Sequence, residues 1–246
     1  MRAMRIVQEK LEPSLGEVHK SRRKAVWRVA AALLTGGKLW PAALGRHRPG
    51  NAMDKHGIKA VDRLLGNEKL SWELRLFYAA IVRAVLVAIK RPVILVDITE
   101  LRPGICAITA SLANSGRGLP LYGVVRTKQY VTNTRCMERF LWNLRGLLPT
   151  GVKPIVVTDA GFQSPWMDSV EAKGWDYVAR VRHQTKFHID GEWVTCQTLH
   201  KRAKNRAQNL GPALFPRNKP KARRLVLAKA RKSKGRRRTT QTGRSE

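Results

Sequence analysis

The spacing of apolar residues along this 246-residue chain changes near residue 91. Before that point they recur every three or four positions, which predicts amphipathic helices. The predicted helices cover 21–37, 41–45, 54–67 and 71–90, and glycine or proline follows or ends each of them. Residues 1–20 mix charges without a period, so we expect a poorly ordered lead-in. The helical region over 21–90 suits a small binding module, and a helical lid is an equally good interpretation of the pattern.

From residue 93 the pattern changes to short β-branched runs. VILVDIT (93–99) has no polar residue before Asp97, as expected of a strand buried on both faces. The further predicted elements are a hairpin over 105–127, a helix over 133–148, a strand at 154–158, a helix over 164–174 and a strand at 175–182. The order β-β-β-α-β-α-β predicts an α/β, ribonuclease-H-like fold with a mixed sheet. In that fold the first and fourth strands lie side by side and parallel.

The remainder of the chain gives a weaker pattern. KFHIDGEWVT (186–195) predicts a hairpin around Asp190-Gly191, because an Asp-Gly pair favours a two-residue turn. Beyond residue 199 the chain is basic and interrupted by proline, apart from a predicted strand at 223–229.

The charge of the chain points to a polyanionic partner. The sequence has 48 Lys and Arg against 17 Asp and Glu, for a formal net charge of +31. Residues 201–246 hold 17 of these cations and one acid, so the body of the chain is basic as well. A basic tail can neutralise phosphates without reading sequence, although a solvated, disordered tail has the same composition. The candidate DNA contacts are Arg22, Arg23, Lys24, Lys55, Lys59, Arg63, Arg236, Arg237 and Arg238.

The cysteines and the apolar segments restrict the class of protein further. Three widely separated cysteines without a C-x-x-C pair argue against a disulfide framework and against a zinc site. The N-terminus lacks the apolar core of a signal peptide, and the apolar run 79–89 is too short to span a bilayer. We therefore expect a soluble protein of the cytoplasm with no membrane partner.

Two carboxylates occupy matching positions at the ends of predicted neighbouring strands. Asp97 lies near the end of the first strand, and Asp159 directly follows PIVVT (154–158). Adjacent carboxylates repel each other unless a cation lies between them, and oxygen ligands suit Mg²⁺ or Mn²⁺. An acid at a strand end is also a common turn former or helix cap. Thr99, Gly161 and Phe162 are interpreted as shaping the two turns, and Glu100 is expected in the loop after the strand.

Several of these motifs together resemble a known family. VILVDIT, PIVVTDAGF followed by WDYVARVR, and KHGIKAVDRLLGN resemble bacterial insertion-sequence transposases of the DDE type, most closely the insertion sequence four family. The resemblance runs from about residue 25 to residue 230. It implies a ribonuclease-H-like core, Mg²⁺ or Mn²⁺ as cofactor, and Asp97 and Asp159 as the first two catalytic acids. It also implies cut-and-paste DNA transposition, with metal-dependent strand cleavage and transfer, by a homodimer that binds terminal inverted repeats in a bacterial cytoplasm.

The third acid that the resemblance implies is missing from its expected pattern. That pattern is Tyr, two residues, Arg, three residues, Glu, six residues, Lys. Tyr177 and Arg180 fit its start, but Gln184 and Gly191 occupy the places of Glu and Lys in a stretch that predicts a strand. We therefore expect a truncated or decayed transposase, or one half of a frameshifted gene. Its predicted parts are a lead-in (1–20), a helical DNA-binding region (21–90), an incomplete ribonuclease-H-like core (91–199) and a basic insertion segment or tail (200–246).

Two other functions stay open at this point. A non-catalytic nucleic-acid-binding protein would explain the charge, and its binding would survive removal of both aspartates. A ribonuclease-H-like nuclease acting on hybrid duplexes would be distinguished by its substrate.

Overall fold

The computed structural model describes residues 2–182 and 184–229 of the chain. Its contacts divide the chain into two units, Met1–Ala179 and Arg180–Glu246. The candidate DNA contacts Arg236, Arg237 and Arg238 lie outside the described residues. Over the described ranges, no helix has both the length and the apolar character that a membrane crossing requires.

Helices make up the first part of the first unit, as the apolar spacing predicted. They are α1 (Arg2–Leu11), α2 (Lys20–Leu34), α3 (Pro41–Arg46), α4 (Asp54–Leu65) and α5 (Glu68–Leu86). Two of them begin earlier than expected because other residues cap them. The His19 ring accepts the backbone N–H of Ser21 at 3.3 Å, and the Asn67 side chain accepts that of Leu70 at 3.3 Å.

The expectation of a poorly ordered lead-in over residues 1–20 is wrong. This segment forms α1 and a 3₁₀ turn, Glu12–Ser14. Leu15 and Val18 are almost completely buried and pack with Ala80 of α5. Two isolated apolar residues among charged ones leave no period in the sequence, although their burial fixes the segment.

Two glycines allow α3 and α4 to approach closely. A Cβ atom added to Gly57 would lie 2.4 Å from the carbonyl oxygen of Gly45, which is too close for any side chain. Ala32, Leu44 and Val61 form a small core among α2, α3 and α4. This packing holds α4 in place, while several basic residues of α4 stay exposed.

A five-stranded mixed sheet follows the helices. Its strands are β1 (Val93–Arg102), β2 (Ile105–Asn114), β3 (Arg117–Thr127), β4 (Ile155–Thr158) and β5 (Asp176–Ala179). The order across the sheet is β3-β2-β1-β4-β5. The first three strands are antiparallel, whereas β4 pairs in parallel with both β1 and β5. The mixed α/β architecture and the parallel β1–β4 pair are therefore confirmed.

The two faces of this sheet have different surroundings. Ile94, Val96 and Val156 are buried in one core with α5, α7 (Thr134–Leu147) and α8 (Ser164–Glu171), and the short helix α6 (Lys128–Val131) precedes α7. On the opposite face, Leu95 is 37% exposed and Val178 is 58% exposed. The prediction that β1 is buried on both faces is therefore wrong, because the apolar side chains of these helices pack with one face.

The second unit is an antiparallel sheet with one short helix. It consists of β6 (Lys186–Ile189), β7 (Glu192–Thr195), α9 (Cys196–Lys201), β8 (Gln208–Phe215) and β9 (Lys221–Leu227), in the order β7-β6-β8-β9. The predicted hairpin is confirmed, with φ of +51° at Asp190 and +85° at Gly191. The strand predicted at 223–229 is β9. Sequence reasoning missed β8, because Gly211 and Pro212 interrupt its pattern.

Candidate active site

The register between β1 and β4 determines where the two candidate acids lie. Val96 of β1 stands opposite Thr158 of β4 in this parallel pair. Asp97 is the next residue on β1, and Asp159 immediately follows β4. Because neighbouring strands are about 4.8 Å apart, these two residues are neighbours at the edge where the parallel pairing of β1 and β4 ends. Asp97 was expected near the end of its strand, and that expectation is wrong because β1 continues to Arg102. Both acids are exposed.

Asp97 is oriented by a residue of its own strand. Its Oδ2 accepts a hydrogen bond from the Thr99 hydroxyl at 2.8 Å. Side chains two positions apart in a strand share a face, so Thr99 stands beside Asp97. Thr99 was predicted to shape a turn, and that prediction is wrong because β1 continues to Arg102. The spacing of two residues within a strand was the signal that could have identified this contact.

Asp159 is oriented by the turn that follows it. Its Oδ1 accepts the backbone N–H of Gly161 at 2.8 Å. A Cβ atom at position 161 would lie 3.0 Å from the same oxygen, so glycine leaves the carboxylate the space it occupies. The predicted contribution of Gly161 to this turn therefore has a steric basis at the carboxylate.

Aromatic packing anchors the same turn in the core. Phe162 is buried, and its ring centroid lies 4.7 Å from that of Trp166 on α8. Trp166 in turn lies 6.4 Å from Phe140 of α7. The predicted anchoring role of Phe162 is confirmed, and Asp159 is three residues from a fixed point of the core.

Neither candidate acid pairs with a cation of the described residues. Within residues 2–182 and 184–229, Asp97 and Asp159 form no ion pair. Glu100 differs, because its carboxylate lies 3.0 Å from the ammonium of Lys128. The Lys128 hydrogen bond lowers the pKa of Glu100 below its usual value. Glu100 lies within β1 and not in the expected loop, and three positions from Asp97 it points to the other face.

The oxygen atoms at this edge fit a hard divalent cation. Two carboxylates and one hydroxyl offer only oxygen ligands, which Mg²⁺ and Mn²⁺ prefer. In proteins Mg²⁺ is commonly held by one or two carboxylates together with water and substrate phosphates. In the described part of the chain, no group of three His, Cys, Asp or Glu residues is placed to hold a metal. The structure thus brings together two protein carboxylates without a third.

The candidate DNA contacts of the helical region divide into two kinds. Arg22 binds Glu73 of α5, with Nε 2.6 Å from one carboxylate oxygen. Arg23 lies 2.6 Å from Glu12 and donates to the Leu15 carbonyl at 2.7 Å. Only about a fifth of each arginine side chain is exposed. Both guanidinium groups therefore hold the first unit together.

The remaining candidates of the helical region are exposed. Lys24 of α2 and Lys55, Lys59 and Arg63 of α4 form no ion pair within the described ranges. The three residues of α4 are four positions apart and follow one side of the helix. We call Lys55, Lys59 and Arg63 the α4 stripe.

Comparison with known families identifies the class of protein. Residues 90–243 match the family described as Transposase DDE domain. The match covers more than half of the chain, and the chain belongs to this family. Comparisons with curated proteins and with solved structures gave no match. Members of the family are DNA-processing enzymes that generally use divalent metal ions.

Proposed function

We propose that this chain is a DNA transposase of the insertion sequence four type, with Asp97 and Asp159 as its metal-binding acids. The observation that carries the proposal is the parallel register of β1 and β4, because it makes neighbours of two acids that form no ion pair within the described residues. The strand order β3-β2-β1-β4-β5, which covers residues 93–179, supports a ribonuclease-H-like assignment for that part of the core proposed over 91–199. Cut-and-paste transposition by a homodimer on terminal inverted repeats, in a bacterial cytoplasm, belongs to the same proposal.

At this edge the chain's own residues would bind the metal ion and orient the two carboxylates that hold it. Asp97 and Asp159 would hold Mg²⁺ or Mn²⁺, with Thr99 fixing the first carboxylate and the Gly161 N–H fixing the second. When bound there, such an ion activates a water or hydroxyl nucleophile and stabilises charge on phosphate oxygens. The buried Phe162 ring limits movement of the Asp159 turn, so the Asp159 carboxylate is held before the DNA arrives.

We propose as DNA contacts those basic residues that form no ion pair within the described residues. The α4 stripe and Lys24 would contact backbone phosphates, since their charges have no partner within the described residues. Arg22 and Arg23 would contribute by positioning α2 through their ion pairs. Arg236, Arg237 and Arg238 would add attraction that is independent of sequence.

The test is Mg²⁺-dependent cleavage of duplex DNA taken from the sequences that flank this coding region. We expect Asp97→Asn and Asp159→Asn each to lower the cleavage rate at least about 100-fold, because each removes a charge that holds the metal. Asp176→Asn is the matched control, since Asp176 is an exposed acid on β5 of the same sheet. It should cleave like the parent chain. If all three variants cleave DNA at the parent rate, Asp97 and Asp159 are not the metal-binding acids.

A second candidate is a non-catalytic DNA-binding protein. The observation that favours it is that no third ligand joins the two aspartates within the part of the chain described. It predicts that the parent chain binds duplex DNA but does not cleave it with either Mg²⁺ or Mn²⁺. It also predicts binding that is unchanged by Asp97→Asn and Asp159→Asn.

A further inference from the structure

A groove of about 400 Å³ lies among α1, α2 and the loop after α3. Its walls include Gln8 of α1, Trp27 and Arg28 of α2, and Pro49 of the loop. Its volume lies at the lower end of the range for ligand pockets, about 300–1,000 Å³. The α4 stripe is not part of its lining.

One side of this groove is a line of free cations. Lys20, Lys24 and Arg28 are four positions apart on α2, so they follow the same side of the helix. We call these three residues the α2 stripe. None of the three forms an ion pair within residues 2–182 and 184–229.

The acid in the lining does not neutralise the α2 stripe. Glu12 lies 2.6 Å from Arg23, with which it forms an ion pair. Its other carboxylate oxygen accepts the Trp27 Nε1 proton at 2.6 Å. The groove therefore keeps a positive charge that an anion from outside can neutralise.

Trp27 presents a fixed aromatic ring to the same groove. Its indole packs against Phe77 of α5, with ring centroids 6.4 Å apart, and its Nε1 is held by Glu12. The ring is half-buried and also contributes to the groove lining. A fixed aromatic surface beside cations is the arrangement that proteins use to stack nucleic-acid bases and bind their phosphates.

A second arginine adds positive charge close to Arg28, although it is not part of the groove lining. The Nε of Arg48 is buried without a hydrogen-bond partner. Burial lowers the pKa of Arg48, and the nearby positive charge of Arg28 lowers it further. Neither guanidinium has a carboxylate partner within the described residues. A phosphate bound on the α2 stripe would offset the repulsion between Arg28 and Arg48.

We propose that this groove binds an unpaired nucleotide of a DNA strand, with its phosphate on the α2 stripe and its base stacked on Trp27. The inference rests on the proposed function, in which DNA is the partner. The nucleotide must be unpaired and unstacked, because bases within a duplex cover one another's faces. The α2 stripe then binds an opened strand, while the α4 stripe binds the duplex.

The test uses the full chain and two triple variants with the same loss of charge. Lys20→Gln/Lys24→Gln/Arg28→Gln removes the α2 stripe, and Lys55→Gln/Lys59→Gln/Arg63→Gln removes the α4 stripe. Fluorescence anisotropy measures binding of a single-stranded oligothymidine and of a duplex of equal length. We expect the α2 variant to bind the single strand at least about tenfold more weakly, with the slope of log K against log salt reduced by about 2. The α4 variant should retain single-strand binding and lose duplex binding.

A cross-linking experiment tests Trp27 without changing it, because substitution of this half-buried residue could unfold α2. A single-stranded oligonucleotide carrying 5-iodo-deoxyuridine is irradiated with the parent chain, and mass spectrometry identifies the attached residue. Attachment at Trp27 is the expected result. Attachment only at residues outside the groove, or unchanged single-strand binding by the α2 variant, would overturn the proposal. Either result, with duplex binding still lost in the α4 variant, would leave the proposed transposase function standing.

Discussion

The acids at the two ends of the five-stranded sheet differ in whether they form an ion pair. At one end Asp176 begins β5, and its carboxylate lies 2.5 Å from the guanidinium of Arg91, just before β1. At the other end Asp97 and Asp159 are neighbours, and neither has an ion pair within the described residues. In a chain with 48 Lys and Arg, a cation was available for both ends. Under the proposed function, the Asp97–Asp159 end takes its cation from outside the chain.

The largest effect should come from giving the Asp97 end a cation of its own. Thr109 of β2 stands opposite Asp97 across the antiparallel pair. In Thr109→Lys an ammonium would neutralise Asp97, much as Arg91 neutralises Asp176. We expect DNA cleavage to fall by at least about 100-fold, since the metal loses part of its attraction to the site. Thr109→Gln has a long but neutral side chain and should cleave within a few-fold of the parent rate. Equal losses in both variants would point to crowding and not to charge.

A smaller effect should follow from displacing the Asp159 carboxylate without changing its charge. In Gly161→Ala the added Cβ would lie 3.0 Å from Oδ1, so the carboxylate must shift by a few tenths of an ångström. We expect the Mg²⁺ concentration for half-maximal cleavage to rise about tenfold, which corresponds to about 1.4 kcal/mol. Gly16→Ala is the control, because nothing lies within 4 Å of a Cβ atom there. An unchanged Mg²⁺ requirement in Gly161→Ala would show that the Asp159 position is not critical.

The Glu100–Lys128 pair should add a pH-dependent contribution to stability. Lys128 lowers the pKa of Glu100, and Glu100 raises that of Lys128. The contribution is therefore present above the unfolded pKa of Glu, about 4.3, and is lost as pH falls through the lower folded value. Thermal unfolding should show Glu100→Gln less stable than the parent at pH 7 and equal to it near pH 3. A constant difference at both pH values would contradict the ion pair as its cause.

The smallest effect should come from the end of the sheet whose acid already has a cation. Arg91→Gln removes the partner of Asp176, but both side chains are more than half exposed. An exposed ion pair contributes about 0–1 kcal/mol, so chemical unfolding should change little. Cleavage should be unaffected, because the Asp97–Asp159 end keeps all its groups. A cleavage loss as large as that of Thr109→Lys would mean that the two ends are not functionally distinct.

The adjacency of Asp97 and Asp159 could be predicted from the sequence because its determinants are local. Asp97 follows the apolar run 93–96 within β1, Asp159 directly follows β4, and the order of elements made those strands neighbours. The ion pairs of Arg22 and Arg23 could not be predicted in the same way. Arg22 binds Glu73, which is 51 positions away, and no local sequence pattern indicates that contact.

The burial of individual side chains was the other property that local sequence patterns could not predict. An all-apolar run such as 93–96 predicts a strand buried on both faces. Leu95 is nevertheless exposed, because the helices cover only the opposite face of the sheet. Conversely, Leu15 and Val18 are buried although their neighbours in the sequence are small, polar or charged. In both cases the packing of distant elements decides the outcome.

Metal binding by the purified chain tests the central claim most directly, since it does not depend on any activity. Mn²⁺ titration followed by electron paramagnetic resonance would compare the parent chain with Asp97→Asn, Asp159→Asn and Asp176→Asn. We predict that the first two variants bind Mn²⁺ at least about tenfold more weakly, because each lacks one of two ligands. Asp176→Asn should bind it like the parent. Equal Mn²⁺ affinity in all four proteins would contradict the assignment of Asp97 and Asp159 as a metal site.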